Sequence, residues 1–423
     1  MTAASLRDGL TRRIGARFFY GWVMLGAGAL GYFASGPAQS HTFSVFITPI
    51  SEDLEVSRTW VSTAYALATL VAAFGLPYMG RLIDRYGVRR VLLGVTLGLG
   101  MSAMAFGQVT GMVALTLGFG ALRFLGQGSL MLSSANLVSQ WFSRKRGFAL
   151  SLMSLGFAAS MAAHPPLAQW LIDQAGWRDA WFWMGVMTWC LLLPVVLLLV
   201  QDKPEAVGMQ PDGVAGAPAR DSAGAADRHG ADVGLTLGEA MRTPAFWIIA
   251  ASLSTLSMLV TGLFFHQVSI LDAQGLDPQT AASVFSISAL TMVSFMPVFG
   301  RALDRYRTQY LFSLTMLIMA GSLAMMSAVG DVATAIAYAV VFGLTNAALH
   351  THNAFLWPRF FGRKHLGSIQ GAGTTINVVG ASLGPLPLAV AFDLEGSYDT
   401  ALLALTMLPV ACAVAVLFLR EPQ

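Results

Sequence analysis

Twelve apolar runs, each long enough for a helix to cross the hydrocarbon of a bilayer, make up most of this chain. They fall at 18–47, 58–79, 88–107, 111–140, 147–172, 178–200, 244–271, 279–300, 309–329, 332–357, 366–392 and 399–419. Lipid offers no water to backbone N–H and C=O groups, so such runs must be helical where they cross. With 55% hydrophobic and only 11% charged residues, the 423-residue chain carries apolar surface that belongs against lipid and not in a soluble core. Residues 1–17 are polar and basic, and the run that follows them is of full span length. It reads as an insertion signal that is retained, not a cleaved leader. The runs divide into a bundle over 18–200 and another over 244–419. A segment at 201–243, rich in Ala, Gly, Asp and Pro, reads as a flexible linker, and residues 420–423 form a short terminus.

A net charge of +3 would allow a nucleic-acid partner, but the placement of the charge does not support one. Of the 25 Lys and Arg, 22 lie in the termini and the loops of one face, two (Arg58 and Arg178) on the other, and one (Arg123) within a span. This asymmetry places both termini in the cytoplasm of a multi-pass cell-membrane protein. The 22 acidic residues split evenly between the faces and carry no orientation signal. Cys190 and Cys412 lie in separate apolar runs, so neither a disulfide framework nor a metal cluster is expected, and no cofactor is implied.

The densest polar stretch is Gly80-Arg81-Leu82-Ile83-Asp84-Arg85-Tyr86-Gly87-Val88-Arg89-Arg90, which returns 220 residues later as Gly300-Arg301-Ala302-Leu303-Asp304-Arg305-Tyr306-Arg307. A second basic turn, Trp141-Phe142-Ser143-Arg144-Lys145-Arg146-Gly147, is echoed at the same offset by Phe361-Gly362-Arg363-Lys364-His365-Leu366-Gly367. Two pairs sharing one offset indicate duplicated halves, a transporter architecture. The first stretch, as G-x-L-x-D-R-x-G-x-R-R, resembles the signature between the second and third helices of the major facilitator superfamily. That resemblance implies an all-α membrane protein of the major facilitator fold. It would have 12 transmembrane helices in two pseudo-symmetric six-helix bundles, with a substrate site between them. It also implies a gate at Gly80, Asp84, Arg85, Gly87, Arg89 and Arg90, echoed by Asp304 and Arg305. There Asp84 would meet the positive end of a helix and nearby arginines. Gly26, Gly28, Gly31, Gly371, Gly373 and Gly380 read as close-packing positions.

Phe18-Phe19-Tyr20-Gly21-Trp22 and the turn from Trp141 to Leu150 are similar to two markers of the monocarboxylate transporters and their bacterial relatives, including oxalate/formate exchangers. Tyr20 stands where an acid is usual and Phe148 where Leu is. The anion-clamping charges of the eighth and eleventh helices are absent, and His41 stands near the place of a first-helix lysine.

Arg123 is the one full charge expected at mid-membrane, where insertion alone costs about 2.5–3.5 kcal/mol, so it either meets substrate or caps carbonyls between helices. His41 and His266, in corresponding outer parts of the first and seventh spans, form a candidate carboxylate and proton site or else two packing histidines. His350 and His352, two apart, cannot share a cavity, and His164 before Pro165-Pro166 marks an expected bend. Tyr65, Gln39, Asn136, Gln127, Asn346, Asn353 and Asn377 either line a cavity or pair between helices.

These readings point to a monomeric secondary transporter of a small organic solute, most consistent with a monocarboxylate or related organic anion, with protons as a candidate coupling ion. It is not expected to be an enzyme. A carrier of a drug, cofactor or siderophore-like compound is the alternative, and a non-transporting membrane sensor the remote one.

Overall fold

The computed structural model describes residues 18–143, 145–213, 234–362 and 364–420. The expected termini at 1–17 and 421–423, Arg144 and Arg363 of the two basic turns, and linker residues 214–233 lie outside the described residues. The chain divides into two compact units, one from Met1–Val56 and Leu67–Pro218, the other from Ser57–Ala66 and Ala219–Gln423. In chain order the longer helices are α1 (Gly21–Ala34), α2 (Arg58–Tyr86), α3 (Val88–Phe106), α4 (Met112–Leu122), α5 (Met131–Trp141), α6 (Arg146–Met153) and α7 (Leu155–Leu198). They continue as α8 (Pro244–Ala273), α9 (Pro278–Arg305), α10 (Thr308–Ser327), α11 (Val332–Phe361), α12 (Leu366–Leu383), α13 (Pro385–Glu395), α14 (Asp399–Leu405) and α15 (Met407–Leu417).

Nine helical segments among the described residues are long and apolar enough to cross a membrane. One of them, Arg146–Leu198, has 53 residues, more than twice what a single crossing takes. It folds back at Gly176, whose φ of 81° and ψ of 162° suit a glycine. The contacts on either side establish the reversal. Gly156 abuts Ala29 and His164 abuts Gly36, while Tyr20 Oη donates to Leu199 O at 2.7 Å at the other end of the same helix. At the turn, Arg178 donates to the carbonyls of Gly107 and Val109 and pairs with Asp53 at 2.5 Å. Counting this hairpin as two, and adding two crossings built from shorter pieces, recovers the twelve expected spans.

Of those crossings, the first span is a departure from the expected continuous helix, whereas the fourth stays helical throughout. The first span stops at Ala34, passes through a 3-10 turn at Gly36–Ala38, and resumes in short turns to Ile47–Asp53. The fourth is α4 and α5 joined through a π-helical stretch, Arg123–Leu130. At Pro165-Pro166, where the sequence leads one to expect a bend, α7 keeps helical dihedrals, and the non-helical residue inside it is Gly176.

Small residues bring the helices together. A Cβ on Gly156 would lie 2.0 Å from Ala29 O, and one on Gly384, between α12 and α13, 2.1 Å from Met258 O on α8. Of the six glycines expected at such seams, Gly28, Gly31, Gly373 and Gly380 face a neighbour this closely, whereas Gly26 and Gly371 face open space. The starts of α9 and α11 are capped by Asp277 and Asp331, which accept from Thr280 N and Thr334 N at 3.0 and 2.8 Å. The bonds from Thr334 hold the Asp331 carboxyl below its ordinary range.

The described parts of the expected flexible linker are tied down. Asp202 accepts from Arg89 N at 2.8 Å, Asp212 from Ser143 N at 3.1 Å, and Leu235 N donates to Phe361 O at 3.0 Å. Thr236 and Glu239 form a reciprocal capping box at Leu237–Met241. Asp202 sits at the start of α3, where unpaired N–H groups and the helix dipole favour a carboxylate. The sequence reading expects Asp84 to meet the positive end of a neighbouring helix. Asp84 instead is exposed and has no hydrogen-bond or ion-pair partner among the described residues. Asp202→Ala is expected to cost about 1 kcal/mol, typical of a lost N-cap. Thermal unfolding of the detergent-solubilised protein should register that loss and show no change for Asp84→Ala.

Candidate functional site

The first unit holds a buried polar cluster built around the broken first span. Breaking a helix releases carbonyls that need donors, and lipid supplies none. Arg123, 3% exposed, supplies one by donating from Nη1 to Ala38 O at 3.1 Å, and its Nε donates to Thr69 Oγ1 on α2 at 3.1 Å. Gly126 makes the approach feasible, because a Cβ there would fall 2.3 Å from that of Ala38. Both readings of Arg123 therefore meet in one geometry: a cation held at a fixed place by neutral dipoles, capping a carbonyl as it sits. Gln127, one turn further along the π stretch, is half-buried, and its amide has no hydrogen-bond partner among the described residues.

On the other side of the same 3-10 turn, the His164 ring lies 2.3 Å from where a Gly36 Cβ would be. Its Nδ1 is 3.1 Å from Ser160 Oγ, which also lies 3.5 Å from His41 Nε2, and His164 Nε2 is buried with no hydrogen-bond partner. His41 packs edge-on against Phe157. The sequence reading paired His41 with His266, but their partners differ. His266, in the second unit, lies 3.3 Å from Ser62 Oγ and 3.0 Å from Pro385 O through Nε2, and its Nδ1 is buried without a partner.

Residues 57–66, the first turns of α2, group with the second unit for a visible reason. Asp393 accepts from Arg58 N and Thr59 N at 3.2 and 2.8 Å, capping α2. The Arg58 guanidinium lies 3.7 Å over the Phe392 ring and donates to Tyr398 Oη, which pairs with Ser269 Oγ at 2.8 Å. Tyr65 stacks at 4.5 Å against Phe265. The sequence reading treated Arg58 only as an orientation charge and missed this clasp.

The second unit also holds a cavity of about 270 Å³ lined by His350, Asn353, Ala354 and Trp357 from α11 and by Gln370 and Thr374 from α12. The spacings are helical, so Asn346 on α11 and Asn377 on α12 continue the same two faces. Asn346 donates to Phe342 O at 2.9 Å, and its Oδ1, like that of Asn377, is buried and unpartnered. His352 points elsewhere, stacked on Phe312 at 4.9 Å with Nδ1 against Ala348 O, as the two-residue spacing required. His350, Gln370 and Thr374 were missed as site residues, although the i, i+4 repeat of polar residues on α12 was there to be read. Asp304 and Arg305 are exposed. Arg89 donates to Val196 O and Leu197 O at 3.2 and 3.1 Å, closing the end of α7. Among the described residues no His, Cys, Asp and Glu group suited to a metal ion occurs.

A family model described as Major Facilitator Superfamily matches residues 10–385. The chain is 24% identical over 383 residues to the oxalate:formate antiporter of Oxalobacter formigenes, covering 88% of this chain and 85% of that protein. It is 25% identical over 364 residues to monocarboxylate transporter 13 of Rattus norvegicus, covering 84% and 79% respectively. Among solved structures, the nucleoside transporter NupG aligns with a TM-score of 0.70 at 15% identity, over 94% of this chain and 99% of that one.

Proposed function

The chain belongs to the Major Facilitator Superfamily, and from that premise we propose that it carries a small organic anion of the monocarboxylate class by alternating access. The observation that carries this reading is Arg123, a permanent cation 3% exposed within a membrane-spanning segment and oriented by a hydroxyl and a carbonyl. A guanidinium carries five N–H donors, and a bond from it to a carboxylate is charge-assisted. Gln127, half-buried on the same π-helical stretch, adds an amide. The relatives' names give formate and monocarboxylates, which are of this class, and oxalate, a small dicarboxylate that presents the same group. Protons enter through His41 and His266; Gly80, Asp84, Arg85, Gly87, Arg89 and Arg90 in the first unit, and Asp304 and Arg305 in the second, act as gating elements each within its own unit, and both termini lie in the cytoplasm.

The cavity at His350, Asn353, Gln370 and Thr374 holds no full charge when its histidine is neutral, and this favours a second reading, a neutral polar solute. Counterflow into proteoliposomes decides between them. Labelled lactate, pyruvate, formate and oxalate should exchange at two pH values, and unlabelled carboxylates should compete with one another. Exchange of neutral solutes without any carboxylate exchange would reject the anion assignment.

A further inference from the structure

Where α9 ends and α10 begins, the second unit carries a cleft of about 670 Å³ lined by Arg305, Arg307, Arg359 and Arg420, with Asp304 the one acid on its wall. The guanidinium groups of Arg305, Arg307 and Arg420 repel each other across this concavity, and one carboxylate cannot neutralise three of them. The side chains of Arg305, Arg307 and Arg420 have no hydrogen-bond or ion-pair partner among the described residues. The floor is apolar, formed by Leu303, Phe360 and Leu419, each less than 9% exposed.

The surroundings identify the kind of anion. Tyr306 and Tyr310, 61% and 55% exposed, stand beside the cleft as aromatic residues do at a membrane–water interface. From there α10 and α15 run together, joined by Ser313 Oγ donating to Ala413 O at 3.0 Å. Both present exposed aliphatic side chains, Leu314 and Leu317 on one, Val414 and Leu417 on the other. A soluble anion would use the arginines alone, whereas a phospholipid would use the arginines and the apolar track below them. We propose that this cleft binds the phosphate headgroup of an anionic phospholipid, with its acyl chains lying along α10 and α15. Basic pockets at helix ends are suited to such headgroups, and each arginine near the phosphate is worth about fivefold in binding.

The full-length protein, delipidated in detergent and titrated with phosphatidylglycerol, phosphatidylcholine or inorganic phosphate, tests this by native mass spectrometry. Phosphatidylglycerol should bind in preference to phosphatidylcholine. The triple variant Arg305→Gln, Arg307→Gln, Arg420→Gln should lose at least about tenfold of that binding. The corresponding triple Lys variant should keep most of it, and Arg301→Gln, an exposed charge outside the cleft, should keep all of it. Should the triple Gln variant fail to fold, Arg420→Gln alone is expected to lose about fivefold. Equal retention of the two lipids, or Gln variants that bind like Arg301→Gln, would overturn the site. Inorganic phosphate displacing phosphatidylglycerol at equal concentration would overturn the lipid assignment in favour of a soluble anion.

Discussion

Arg123→Gln should lower uptake on the order of a hundredfold in protein that still reaches the membrane and unfolds close to the wild-type temperature. Two opposing effects keep the fold nearly unchanged. Hydrogen bonds from a charged donor are worth about 1.5–3 kcal/mol each, and those to Thr69 and Ala38 are weakened. Against that, a buried charge costing about 2.5–3.5 kcal/mol is removed. Transport has no such compensation, because glutamine cannot offer a carboxylate the charge-assisted bond that supplies roughly a hundredfold. Arg123→Lys should recover part of the activity, since it restores the charge without the planar fork. Initial-rate uptake in proteoliposomes, normalised to reconstituted protein, measures both. Wild-type rates for the Gln variant would leave Arg123 as a carbonyl cap and remove it from the transport reaction.

Gly384→Ala should be the most damaging single methyl group in the second unit. Its Cβ would lie 2.1 Å from Met258 O and 2.9 Å from Gly262 N, both backbone atoms that cannot swing aside. Membrane helices are held by close van der Waals packing and not by a hydrophobic drive, so forcing α8 away from Gly384 loses contacts along the whole seam. Overpacking of this kind costs about 3 kcal/mol, a fall of roughly 6–12 °C in Tm. Gly371→Ala is the matched control: its Cβ meets open space, and an alanine in a helix interior should gain about 0.5–1 kcal/mol over glycine. Scanning fluorimetry of the two variants would separate steric from conformational effects, and equal melting temperatures would show that the seam tolerates expansion.

The spans were legible because lipid enforces a simple rule, that runs of apolar residues become helices, and the repeated basic turns set the two halves apart. Local backbone was not legible. The π stretch at Arg123–Leu130 and the break at Gly36–Ala38 meet where Arg123 donates to Ala38 O across 85 residues, and no window of sequence contains both. The motif around Asp84 marks the junction between α2 and α3 but does not contain the carboxylate that caps α3. The acid on α3 is Asp202, 113 residues from Arg89, in a stretch whose composition suggested only a linker. Asp393 and Arg58 are likewise partners across 335 residues. For His350 the sequence reading goes no further than that it cannot share a cavity with His352. The residues at its helical spacing, Asn346, Asn353 and Trp357, place it in the polar cavity.

The turn at Gly176 limits how this protein can be handled. A hairpin that reverses through a single residue has no spare length, and Arg178 fastens its far side to Gly107, Val109 and Asp53. An epitope, a protease site or a fluorescent fusion spliced in there would have to unwind both arms to be displayed. Labels for following this protein in cells belong at other loops.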